Sequence, residues 1–178
     1  MLIYETLKKD HQHLLGLINQ LNTFEEHDDR RKSLIKEIRD EMVPHSRAEE
    51  AVFYNPLRTA TAAQHVVRHS FQDHIEAESL LKALQAEDMV HMDWKKTAQK
   101  LKAALEHHIY EEENIVFELA KQVFTDEQAT RISDAFEKMK PQIREEGFMG
   151  TALDLIENLM PPRFTKAVLG KKPNDIHP

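Results

Sequence analysis

The stretch "HSRAEEAVFY", His45–Tyr54, returns in outline 63 residues further on as "HIYEEENIVF", His108–Phe117. In each, a histidine stands four residues ahead of a Glu-Glu pair, Glu49-Glu50 and Glu112-Glu113, and an apolar, aromatic run follows. Positions four apart on an α-helix lie about 40° round the axis and about 6 Å along it, so the His and Glu of each pair point the same way. The same shift lays Asp10-His11 on Asp73-His74, Leu17 on Leu80, Leu21 on Leu84, Ile38 on Leu101, Met42 on Leu105 and Val52 on Ile115. The chain therefore reads as two copies of one helical hairpin, each with a histidine on its first helix and His-x-x-x-Glu on its second.

Composition agrees with that reading. A chain of 178 residues, 40% hydrophobic and 31% charged, suits one domain with an appended segment. Only four glycines and seven prolines occur, which favours an all-α fold over strands and turns. A net charge of −7 gives no basic face for nucleic acid or an anionic membrane. The absence of cysteine excludes disulfides, thiolate chemistry and thiolate-held iron–sulfur clusters. The start, "MLIYETLKKDHQHLL", lacks the apolar run and cleavage site of a signal peptide, and a cytoplasmic protein is expected.

Apolar residues recur at spacings of three and four in four blocks, Tyr4 to Phe24, Asp29 to Leu57, Ala62 to Ala86 and Asp93 to Phe124. Thr61 and Asp93 suit N-caps of the third and fourth helices. Short connections favour an up-down-up-down four-helix bundle for residues 1–124. Thr125 and Gln128 have capping-box spacing and predict a fifth helix toward Glu146, ahead of Gly147. Residues 125–178 form an extension whose helix and apolar segment (Leu153, Ile156, Leu159, Met160) are expected to pack on the bundle or on a second copy of the chain.

The inward stripe of each helix follows alternating steps of three and four. It reads Leu7, His11, Leu14, Ile18, Leu21 on the first helix and Ile38, Met42, His45, Glu49, Val52 on the second. The third gives Val67, Ser70, His74, Ala77, Leu81, Leu84, and the fourth Leu101, Leu105, His108, Glu112, Ile115, Leu119. Four histidines and two glutamates thus fall in the core. Uncompensated carboxylates there would cost several kcal/mol each. Two metal ions, with imidazoles as terminal ligands and carboxylates between them, remove that cost, whereas a metal-free docking module leaves it standing.

With "KKDHQHLL" and "FQDHIEAE" completing the set over residues 6 to 124, the chain resembles the hemerythrin-like (HHE cation-binding) family. The resemblance implies a four-helix bundle around a non-haem di-iron centre that binds dioxygen or related small molecules such as peroxide and nitric oxide. Carried onto matching positions, it implies His11, His45, Glu49, His74, His108 and Glu112 as ligands of two iron ions. The same donors accept manganese or zinc.

Two positions depart from the oxygen-carrying members. Ser70 stands where they have a further histidine one turn before the third-helix ligand, and their last carboxylate would select Glu113. Symmetry with Glu49 favours Glu112. Water, Glu78 or Tyr54 are the candidates for the place a fifth histidine would fill, and an open place favours oxidation of the reduced site over stable oxygen storage. Binding or sensing of oxygen, nitric oxide or iron, iron storage, and an oxidoreductase that consumes peroxide, oxygen or nitric oxide are the functional classes left open.

The remaining residues have plainer readings. His13, His27, His65, His69, His91, His107 and His177 read as surface or hydrogen-bonded side chains. Glu50 and Glu113 read as solvated flanks, with hydrogen bonding to ligand histidines as the alternative. Asp10 and Asp73 read as surface, and Phe53 and Tyr54 as packing. Pro44 is either a tolerated kink or a bend that aims His45.

Overall fold

The computed structural model describes residues 1–25, 28–86 and 93–146. Among them the regular structure is helical throughout: α1 (Ile3–Thr23), α2 (Arg30–Glu49), α3 (Asn55–Leu57), α4 (Gln64–Gln85), α5 (Trp94–Glu111), α6 (Phe117–Val123) and α7 (Asp126–Glu146). Helix α2 continues through Pro44, which is buried beside His45. A π-helical turn at Glu50–Tyr54 joins α2 to α3, and another at Glu112–Val116 joins α5 to α6. The two predicted long helices that carry His-x-x-x-Glu are thus each an α–π–α rod.

The ends follow from side-chain chemistry. Asp93 caps α5, its carboxylate accepting from the Lys96 N–H at 2.9 Å. At α7, Thr125 N–H donates to the Gln128 side chain at 3.0 Å and Gln128 N–H donates to Thr125 Oγ1 at 3.3 Å. Thr61 does not cap α4. It opens a 3₁₀ turn (Thr61–Ala63) with no side-chain capping bond, so the chain tightens one turn before the α-helix begins.

Packing closes a ring. Helix α1 lies against α2 and α5, and α4 lies against the same two. Helix α7 packs outside the ring on α1 and α2. Two apolar clusters fill the interior. One gathers Ile3, Tyr4, Leu7, Phe53, Tyr54, Leu57, Phe117 and Phe124 with Ile132, Phe136 and Met139 of α7. The other runs from Leu14, Ile18 and Leu21 across Ile38 and Met42 to Leu81, Leu101 and Leu105. Each large side chain so withdrawn from water contributes roughly 1.5–3 kcal/mol. His11 lies between Leu7 of the first cluster and Leu14 of the second, so the polar layer divides them.

The fourth helix departs from the expected stripe. Ile115 is 44% exposed and Leu119 only half-buried, whereas Val116, Phe117 and Ala120 are buried. A π turn takes one more residue than an α turn, which moves the inward face on by one position. No helix among the described residues is long and apolar enough to cross a membrane. The apolar segment containing Leu153, Ile156, Leu159 and Met160, like His27, His91 and His177, lies outside the described residues.

Candidate metal centre

Helices α1, α2, α4 and α5 each deliver one histidine to the middle of the ring, and the junctions of α2 and α5 with their π turns each deliver a carboxylate: Glu49 is the last residue of α2, and Glu112 is the first of the π turn after α5. His11, His45, His74 and His108 are buried, and Glu49 and Glu112 are fully so. The donors repeat with the sequence. His11 Nε2 is 3.1 Å from Glu112 Oε2, and His74 Nε2 is 3.2 Å from Glu49 Oε2. His45 Nε2 is 3.9 Å from Glu49, and His108 Nε2 is 3.8 Å from Glu112. Two triads, His11–His45–Glu49 and Glu49–His74–His108, each bring three donor atoms within 4.8 Å of one another and share Glu49. All six residues singled out in the sequence therefore converge.

An outer layer has the same twofold pattern. Asp10 accepts from His45 Nδ1 at 3.1 Å, and Asp73 lies 3.5 Å from His108 Nδ1. Glu113 meets His11 Nδ1 at 2.9 Å, and Glu50 meets His74 Nδ1 at 3.0 Å. This corrects the reading of Asp10 and Asp73 as surface groups and of Glu50 and Glu113 as solvated flanks. Each serves a histidine of another helix, and its own helical stripe carries no sign of that. With Nδ1 held by a carboxylate, every Nε2 is left to face the centre.

A third layer reaches in from α7. Lys140 donates to Asp10 Oδ2 at 2.7 Å, and the Phe136 ring meets His45 edge-on at 5.6 Å. Burial alone would raise the Asp10 carboxyl, but the His45 and Lys140 contacts hold it at about 2.

The donor set fits cations better than it fits itself. Glu49 Oε1 and Oε2, Glu112 Oε1 and Oε2, and His11 Nε2 are shielded from water without an aligned hydrogen-bond partner. Burial and the neighbouring Glu112 charge push Glu49 well above the usual carboxylate range. Glu112 is lowered against its burial by Glu49 and His11. Burial takes His45 down to about 4, while Glu112 and Glu113 bring His11 up to about 9 despite burial. Two carboxylates so close cannot both ionise without positive charge between them. A cavity of about 10 Å³, bounded by the four histidines with Leu14 and Leu105, lies beside them.

The twofold pattern breaks at one place. Tyr54 stacks on His74 at 5.6 Å, as Phe117 stacks on His11 at 6.5 Å, but only Tyr54 carries a hydroxyl. That hydroxyl faces Ser70 and the two glutamates, and burial with the Glu112 and Glu49 charges raises it well above its ordinary value. Ser70 is buried, its Oγ donating to the Val66 carbonyl at 3.2 Å. The shift of 63 puts apolar Leu7 opposite Ser70. Glu78 is turned away to Arg47, 2.7 Å distant, and takes no part in either triad.

No curated protein was found to match the chain. The family model for the hemerythrin HHE cation-binding domain matches residues 2–120, a span that contains all six converging donors and their four outer carboxylates. With a cation-shaped set of orphaned donors inside that span, the chain belongs to the hemerythrin HHE cation-binding family.

Proposed function

We propose that this chain is a non-haem di-iron protein whose centre takes up or reacts with dioxygen or related small molecules, with His11, His45, Glu49, His74, His108 and Glu112 as its ligands. The observation that carries the proposal is the pair of fully buried carboxylates set among four histidines with no aligned hydrogen bonds of their own. Iron rests on the family resemblance. In this reading residues 1–124 form an up-down-up-down bundle that holds the metal, and residues 125–178 are an extension that packs on the bundle or on a second copy of the chain.

When bound, the ions supply redox and Lewis-acid chemistry toward a small ligand. The chain's own residues fix the conditions. Four outer carboxylates orient the imidazoles, and the apolar clusters on either side keep bulk water out. Ser70 and Tyr54 make the His74–His108 half polar where Leu7 and Phe117 keep the other half apolar. A small polar ligand is therefore received on the Tyr54 side, with the phenol as proton donor. That arrangement favours oxidation of the reduced site by oxygen or peroxide over stable oxygen storage. Uptake of nitric oxide or of iron itself, for sensing or storage, is the second reading of the same donors.

Metal quantification with optical spectra, first of aerobic protein and then of reduced protein mixed with oxygen, peroxide and nitric oxide, tests this. About two ions per chain are expected, as in other dinuclear bundles, with prompt oxidation by oxygen or peroxide. Many cycles of oxygen uptake and release without oxidation would overturn the ranking, and protein purified without metal would overturn the centre itself. Ser70→His combined with Tyr54→Phe is expected to slow oxidation and prolong reversible oxygen uptake, since Ser70→His alone would press an imidazole against the phenol.

Lys140 offers a separate check. Replacing it as Lys140→Met loosens the Asp10 carboxylate that orients His45. Outer partners of ligand histidines are worth about 10–100-fold in metal affinity, and a partner one step further out is expected near the lower figure. Competition with a chelator reads this directly. Unchanged affinity would mean that α7 supports the bundle without reaching the metal.

A further inference from the structure

The α4–α5 face carries a second group of donors outside the buried centre. His69 Nδ1 lies 3.2 Å from Asp73 Oδ2 and 3.2 Å from Glu111 Oε2, and the three donor atoms fall within 4.8 Å of one another. His107 adds its Nε2 at 3.6 Å from Glu111 Oε1. The side chains of His69 and His107 are 43% and 59% exposed, so the group is open to solvent where the inner one is sealed. An open groove bordered by Asp73, Glu76, Lys100, Ala104 and His107 leads to it.

Two observations separate this group from an ordinary surface ion pair. Among the described residues, two histidine nitrogens are shielded from water without an aligned hydrogen-bond partner, His11 Nε2 in the centre and His69 Nδ1 here. One N–H cannot align with two acceptors at once. Ligands of a common ion look different: with bonds of about 2.0–2.1 Å, neighbouring donors on a tetrahedral ion sit roughly 3.3 Å apart, and the ion, not either oxygen, lies along the nitrogen lone pair. The 3.2 Å contacts of His69 match that spacing. Second, neither Asp73 nor Glu111 has a Lys or Arg ion-pair partner among the described residues; histidines alone face them.

We propose that His69, Asp73 and Glu111, with His107 at the rim, form an outer site for a divalent first-row metal ion on the α4–α5 face. Imidazole with two carboxylates suits zinc, manganese or ferrous iron. Asp73 also borders the inner cavity and lies 3.5 Å from His108 Nδ1, so one carboxylate serves both places. An ion held outside therefore stands one side chain away from the buried centre, at the mouth of the groove.

Zinc titration of the metal-free full chain, followed through the ring resonances of the individual histidines, tests the site. His69 and His107 are expected to shift at a step separate from His11, His45, His74 and His108, with one further ion per chain. In the combined variant His69→Ala, Glu111→Gln that step and that ion disappear, while the inner histidines still respond. Zinc-insensitive His69 and His107 signals, or an unchanged ion count in the variant, would overturn the outer site. Silent inner histidines beside a responding His69 would instead overturn the dinuclear centre and leave the outer site standing.

Discussion

A chain that ends at Phe124 is expected to lose cooperative unfolding and to aggregate, although it retains every residue of the family match. Helix α7 contributes Ile132, Phe136, Met139 and Ile143 to the same cluster as Tyr4, Phe53, Tyr54 and Phe117. At roughly 1.5–3 kcal/mol for each large side chain, its removal forfeits on the order of 6–12 kcal/mol, comparable with the whole stability of a domain of this size. The buried Thr6–Ser133 hydroxyl pair, at 2.6 Å, is lost with it, as is the Lys140 support of Asp10. Size-exclusion chromatography and calorimetry of the truncated chain read the outcome. A monomeric, metal-loaded product melting where the full chain does would show that α7 is a passenger.

That dependence explains why part of the molecule is legible in the sequence and part is not. The repeat of His45–Tyr54 at His108–Phe117 exposes hairpin, stripe and donors together, because all three follow helical spacing within one segment. The apolar stripe of α7 announces burial but not its address, since amphipathicity records that a face is covered and never by what. Asp10, Asp73, Glu50 and Glu113 escape for a related reason. Each leaves its own helix's inward stripe by about 100°, and its partner histidine belongs to a different helix. The π turns also have no signature in apolar spacing, which is why the spacing places Ile115 inward and misses Val116. The sequence does hold one clue: the shift that pairs His11 with His74 also pairs Asp10 with Asp73, and duplication of a supposed surface residue beside a duplicated donor is itself a signal.

The combined variant His45→Ala, His108→Ala is expected to lose both ions of the buried centre. Together the two substitutions take one imidazole from each half of the centre, and the remaining pairs, His11 with Glu112 and His74 with Glu49, keep too few donors for either ion. An ion present at about a thousand times its dissociation constant stabilises the folded chain by about 4 kcal/mol, which for a chain of this length corresponds to a melting shift on the order of 10 °C. The variant should therefore melt near wild-type protein stripped by a chelator, and adding chelator should shift the variant far less than it shifts wild type. Both arms are needed, because two alanines in a buried layer also remove packing. A variant that melts far below stripped wild type would report lost packing rather than lost metal. Calorimetry with and without chelator, beside metal quantification, separates these outcomes, and full metal content in the double variant would remove His45 and His108 from the ligand set.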